Sequence, residues 1–513
     1  MSSRSERNEF EGISYAKVTA DVTRSLTHTT WKYYLALGLS LAVVVYGSIL
    51  YYYQSVVGLG IWGTNEPIYW AMDLTGFIWW IGFSLAGTLL SAILLLTKSD
   101  WRNPVYRLAE MMTALALVTA NIVILTHIGR PWRMFYIFPY PNLRLLWPSF
   151  RSPLFWDVLG LIAYLTSSSL FLYLGAIPDF AAVRDRVTGW RKKLYSTLSL
   201  GWTGSSREWR HLRRAYFLIA PLIIPIAVSM HSVTSWIPAV TLNPGNHSSI
   251  YAPYFVTGAL LSGSAGVIII AIILRKALHF EEYITPRHLD NLAKLVLVAS
   301  MLISYIYIIE LFIPWIKTEN LELMPLLAKL KGSYNPLYWS MIILNSVVPL
   351  ALFSRKVRRN IPALLLISLG VEVAMYFERF LMVIPGQNIG PLPFTWGSYR
   401  PTWIEISYVA WYYSIFIFLF LLFAKIVPSV SIFEVKEILP APLRAKVMAP
   451  SAGLTEADPA PDTALKAESP LRRFDPAPNP SDLDPKTSSG DADSVPSPER
   501  LDASLKEAEG DVR

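Results

Sequence analysis

Ten separated apolar runs, each of about 20 residues or more, leave this chain little choice of fold. A helix needs roughly 20 apolar residues to cross the hydrocarbon layer, and a backbone there must satisfy its own hydrogen bonds. The runs lie at approximately 32–54, 68–97, 105–127, 154–176, 214–236, 252–278, 289–315, 336–354, 360–384 and 403–427. The sequence therefore predicts an all-α integral membrane protein with ten transmembrane helices. With 53% hydrophobic and 16% charged residues, the composition lies on the apolar side of the soluble average of about half and a quarter. The first 30 residues are polar and lack the apolar segment of a cleavable signal peptide.

An even number of crossings puts both termini on one side, and the basic residues say which. The loops after the second, fourth, sixth and eighth runs hold most of the internal Lys and Arg, including Lys98, Arg184, Arg191, Arg275, Arg287, Arg355 and Arg359. The loops after the first and fifth runs hold none. By the positive-inside rule the basic loops and both termini face the cytoplasm, an N-in/C-in arrangement in a bacterial inner membrane. The net charge of +8 reads as topology, not as a nucleic-acid footprint. Eighteen Trp and 27 Tyr suit belts at the two interfaces, against lipid. With no cysteine, the chain can hold no iron–sulfur cluster by thiolates, no covalently attached c-type haem and no disulfide. The expected domains are a polar cytoplasmic arm over 1–30, a membrane domain over 31–430 and a tail over 431–513. The tail is rich in Pro, Ala and acidic residues and is expected to be largely disordered. Runs two to five and six to nine point in matching directions, as two four-helix bundles with two peripheral helices would.

Charge in hydrocarbon costs at least about 2.5–3.5 kcal/mol, so the placement of ionisable residues carries information. His127 ends the third helix, Asp157 opens the fourth, and His231 lies near the end of the fifth. Glu310 lies near the end of the seventh, Glu378 and Arg379 in the last turns of the ninth, and Asp73 and Glu405 in the first turns of the second and tenth. All fall in one layer near the outer face. The external loop after the third run, "HIGRPWRMFYIFPYPN", breaks the charge trend with Arg130, Arg133, Arg144 and, further on, Arg151. Its prolines and aromatic rings suit a rigid platform for an extrinsic partner or a lid over a buried site.

That loop, followed by "LWPSFRSPLFWDVLG", resembles the membrane subunits of the NrfD and PsrC type, most closely the ActC subunit of alternative complex III. "SMHSVTSWIPAVTLNPGNHSSIYAPYFVTGALLSG" and "YFERFLMVI" resemble matching segments of that subunit, so the likeness covers roughly residues 30–430. It implies a subunit that binds quinol near the outer surface beside an extrinsic iron–sulfur protein and carries no redox cofactor of its own. The His of "HIGRPW" and the Asp of "WD" are the quinol-site pair in that pattern, here His127 and Asp157. Where many ActC-like chains have an acidic residue after "HSVTSW", this one has Ile237 and Pro238, nearer the wider NrfD pattern.

A neutral imidazole can take a quinol proton, and a carboxylate beside it stabilises the imidazolium. The expectation is His127 as base, Asp157 as its partner or proton exit, and His231 as a second contact across the cavity. Arg130, Trp132, Phe135 and Tyr136 would contact or wall the quinone, either menaquinone or ubiquinone. Asn121, Glu372, Glu378, Arg379, Glu310 and Asp73 form either a proton path or bundle structure, and Glu378 with Arg379 reads first as a structural ion pair. The leading expectation is a quinol-oxidising subunit of alternative complex III. Its partners would be an extrinsic iron–sulfur subunit, multihaem cytochrome c subunits, a homologous NrfD-like membrane subunit and a terminal oxidase. The alternative is the quinone-reactive anchor of a molybdopterin oxidoreductase of the polysulfide or nitrite reductase type. A b-type cytochrome ligated by His127 and His231, and a transporter with a midplane site, are the other classes weighed.

Overall fold

The computed structural model describes residues 13–137, 153–241, 250–317, 320–389 and 392–439. Ten of its helices are long and apolar enough to cross a membrane. No strand occurs among the described residues. A short helix, α1 (Tyr15–Thr27), precedes the first crossing, α2 (Trp31–Val57). The next three crossings are α3 (Met72–Leu96), α4 (Tyr106–Ile128) and α5 (Pro153–Arg184); α6 (Gly189–Leu198) is short, and α7 (Ser206–Ala239) is the fifth crossing. Then follow α8 (Tyr251–Ala277), α9 (Pro286–Lys317) and the short α10 (Asn320–Leu330). The eighth crossing starts as α11 (Asn335–Ile342) and passes through a π turn (Ile343–Val347) into a 3₁₀ segment (Val348–Phe353). Last come α12 (Ile361–Val383), α13 (Trp403–Phe423) and α14 (Ile432–Ile438).

Helices α3, α4, α5 and α7 pack each on the next, and α7 closes back on α3. A second ring forms in the same way from α8, α9, the eighth crossing and α12. Helix α3 lies against both α8 and α12, joining the two rings, while α2 and α13 pair and rest on the first ring. The apolar effect supplies little attraction between helices in lipid, so packing and interhelical hydrogen bonds carry the association. Helix α3 illustrates this, for nearly its whole length is buried, from Asp73 to Ala92.

Both ends of the described chain meet at one face. Val18, Val22 and Leu26, four residues apart, form a fully buried stripe on α1, and Lys425 Nζ donates to Ser25 O (2.6 Å) and His28 O (2.8 Å). The arm over 1–30 contains α1, and residues 432–438, expected in the tail, form α14 with Ile432 and Val435 fully buried. Asp179 Oδ1 accepts the first N–H groups of α14, from Ile432 (3.0 Å) and Phe433 (3.2 Å), a carboxylate satisfying the orphan donors of a helix start. The rest of the tail, 440–513, lies outside the described residues.

Candidate functional site

The opposite face carries the expected layer. Helix α4 stops because Gly129 adopts φ of 73°, a left-handed turn that side chains disfavour. This leaves His127 in the last turn. Helix α3 runs antiparallel beside α4, which brings Asp73 of its first turn to the same height. His127 Nδ1 hydrogen-bonds Asp73 Oδ2, and the other carboxylate oxygen accepts from Ala71 N (3.3 Å). The Asp73 side chain is 2% exposed and that of His127 27%. A buried acid thus anchors a half-open imidazole, and with Nδ1 engaged, Nε2 is the atom left to meet a ligand.

The strut work around this pair is dense. Gln54 of α2 donates to Thr126 O (2.7 Å) and accepts from Trp62 Nε1 (3.1 Å), while Tyr412 of α13 bonds Thr126 Oγ1 (2.6 Å). Gln387 accepts from Tyr69 N and Trp70 N, both at 3.0 Å, and returns a bond to Trp70 O (2.9 Å). Glu405 closes a capping box with Thr402 and also accepts from Gly63 N (2.9 Å) and Tyr399 OH (2.6 Å).

The expected pairing of His127 with Asp157 is corrected: the carboxylate on His127 is Asp73. Asp157, on α5, faces α7 instead and accepts from Thr234 Oγ1 (2.5 Å). His231 changes role for a similar reason. Its ring nitrogens meet Ala227 O (2.7 Å) and Ile81 O (3.1 Å), so it ties α7 to α3 with no nitrogen open to a quinone or an iron. Trp132 and Phe135 are 60% and 53% exposed and Arg130 is exposed, so this loop presents an aromatic and basic surface beside His127. The side chain of Tyr136, like Arg144, Arg151 and His247, falls outside the described residues.

The remaining expected residues divide between packing and a cavity. Asn121 donates to Leu117 O of its own helix (2.8 Å). Glu372, buried between helices, accepts from Ser262 Oγ (2.9 Å). Glu378 and Arg379 form a fully buried ion pair (3.0 Å), and Glu378 also accepts from Tyr307 OH. Gly258 makes the room, because a β-carbon there would meet the Arg379 guanidinium, whose carbon lies 4.8 Å above the Phe255 ring. A partly open cavity of about 70 Å³ lies between the second ring and α10, lined in part by Tyr251, Tyr254, Tyr307, Glu310, Lys329 and Glu378. That is space for a few waters; His127 and Asp157 do not line it. Burial pushes the Lys329 ammonium below its ordinary pKa, and Glu310 opposes only part of this. Lys329, Asn345 of the π turn, and the Arg107, Glu110 and Asp179 cluster at the basic end are polar sites the sequence reading passed over. A polar residue within an apolar run was the available signal for Glu110 and Asn345.

This geometry sits inside a recognisable chain. The model of the family described as "Polysulphide reductase, NrfD" matches residues 60–391 of the 513. The chain belongs to the NrfD family. It is also 25% identical over 386 residues to a putative dimethyl sulfoxide reductase membrane subunit of Halobacterium salinarum, an alignment covering 69% of this chain and 84% of that protein. This NrfD protein is a multi-pass membrane protein, and its matched region contains His127, Asp73, Asp157 and the Glu378–Arg379 pair.

Proposed function

We propose that this NrfD protein is the quinone-reactive membrane subunit of an oxidoreductase complex, with an extrinsic iron–sulfur subunit docked on the His127 face and a molybdopterin-type catalytic subunit beyond it. The single observation that carries the reading is the His127–Asp73 pair at helix-end depth. The likeness to a dimethyl sulfoxide reductase membrane subunit favours this assembly over the alternative complex III subunit suggested by the motifs.

The pair can perform the proton chemistry of quinol oxidation. A quinol hydroxyl donates to His127 Nε2, the ring accepts the proton as electrons depart, and the Asp73 carboxylate stabilises the imidazolium. Each quinol yields two protons and two electrons. The protons leave at the His127 face, and the electrons must leave the chain, which has no cysteine to hold a cluster. Trp132 and Phe135, with Arg130 and Arg133, offer the partner an aromatic and cationic docking surface.

In the purified native complex, H127A and D73N are expected to lower quinol-dependent turnover by about 10²–10⁴-fold, the range of a lost general base, with every subunit retained. Turnover at the wild-type rate in either variant refutes the site. Co-purification distinguishes the assemblies: a molybdopterin protein is expected, and multihaem cytochromes in its place would restore the other reading.

A further inference from the structure

Helix α7 turns one unbroken stripe away from the rest of the molecule. Arg207, Arg210, Arg214, Leu218 and Leu222 follow one another at three or four residues, the spacing of a single helix face, and all are exposed. The opposite face, with Tyr216, Ala220, Ile223 and Ala227, is buried. Leu218 and Leu222 are 73% and 57% exposed, so on a membrane-crossing helix this is the side shown to lipid. The stripe changes from cationic to apolar between Arg214 and Leu218, four residues or roughly 6 Å of helix. Headgroups form a layer about 5–8 Å thick outside the hydrocarbon. The Arg214 guanidinium therefore stands at the depth of the lipid phosphates, with Arg210 one turn further out.

No acid of the chain claims these cations. Among the described residues, Arg207, Arg210 and Arg214 have no hydrogen-bond or ion-pair partner. Glu208, in the same turn, bends back on the helix start and accepts from Ser205 N (2.9 Å) and Thr203 Oγ1 (2.9 Å). Glu437 faces Arg213 and Arg102 instead. The start of α7 is also braced, for Trp202 packs with Ile177 and Ala181 of α5 and meets Trp209 edge-on at 5.1 Å. The positive-inside rule accounts for cations in a connection between crossings, but it does not require them on the lipid-facing stripe of the helix itself.

We infer that this stripe binds an anionic phospholipid, with its phosphate held by Arg210 and Arg214 and its acyl chains lying on Leu218 and Leu222. A guanidinium presents a fork of donors that matches phosphate oxygens. A zwitterionic lipid carries the same phosphate, but its own ammonium competes for it. The inference does not depend on the quinone reading.

Photo-cross-linking in the native complex tests it. Leu218→benzoylphenylalanine places the probe beside the arginines, and the complex is reconstituted in vesicles of equal phosphatidylglycerol and phosphatidylcholine. Lipid adducts read by mass spectrometry are expected to favour phosphatidylglycerol by at least about fivefold, the worth of one cation at a charged membrane surface. R210Q/R214Q should bring the ratio to that of the vesicle, while R210K/R214K keeps the preference. R355Q/K356Q, which removes the same charge from the loop after the eighth crossing, should leave it unchanged. Excess inorganic phosphate, compared with chloride at matched ionic strength, should also leave it unchanged. The assignment is overturned by a ratio equal to the vesicle's with the arginines in place, or by a preference that survives R210Q/R214Q. A loss shared equally by R355Q/K356Q, displacement by free phosphate, or an adduct to residues 440–513 in place of lipid overturns it as well.

Discussion

A carboxylate and an imidazole 54 residues apart in sequence carry the chemistry in the proposed function, and each depends on the other. Asp73 is buried with His127 as its hydrogen-bond partner, so D73N removes the charge that would stabilise the imidazolium formed on proton uptake while retaining a hydrogen-bonding shape. H127F takes away that hydrogen bond and leaves Asp73 only the bond from Ala71 N, and a hydrogen bond to a buried charged group is worth about 1.5–3 kcal/mol. H127F is therefore expected to melt lower than D73N, although both lower turnover sharply; equal melting curves would show that Asp73 does not depend on His127. Lys329 makes a separate prediction. Its folded pKa lies below its unfolded one, so the folded state binds fewer protons and stability rises with pH between the two values. The melting temperature of wild type relative to K329M should therefore climb on moving from neutral towards pH about 10; parallel profiles would contradict the placement. Sequence made the depth of these residues legible, because a charge in an apolar run is costly wherever it stands. It could not give their rotation about the helix axis, and so His127 was matched with Asp157 by motif when Asp73, on the neighbouring antiparallel helix, faces it.

Among elements, the ten crossings were legible from length and hydropathy alone. The shorter elements were not, since they depend on partners distant in sequence. Helix α14 has only seven residues, too few to hold together in isolation. Its order comes from Asp179 at its N-terminus and from Arg102 on Glu434. Truncation after Val430 removes both partners and is expected to lower stability by about 3–5 kcal/mol, as for one member of a buried pair. Thermal unfolding of the truncated chain matching wild type would show α14 to be a passive tail. The π turn of the eighth crossing is similarly specific to its surroundings, for it turns Asn345 inward, where the amide donates to Tyr307 OH (2.9 Å) at the edge of the second-ring cavity. Such bulges are frequent at functional sites.

Across the whole molecule, two faces do different work. One gathers both ends of the described chain, α1 and α14, with buried Arg102 and Arg107 into a closed, salt-bridged base. The other gathers His127, Asp73, the capped start of α13 and an exposed aromatic loop into a surface suited to a redox partner. The positive-inside rule would put the first face on the cytoplasmic side, and the proposed function docks its electron acceptor on the second. The most direct measurement is the electron paramagnetic resonance signal of the reduced iron–sulfur partner in the native complex after mixing with quinol, compared among wild type, H127A and D73N. The account predicts rapid cluster reduction in wild type and almost none in either variant, with all subunits retained. Clusters that reduce at the wild-type rate without His127 or Asp73 would contradict it.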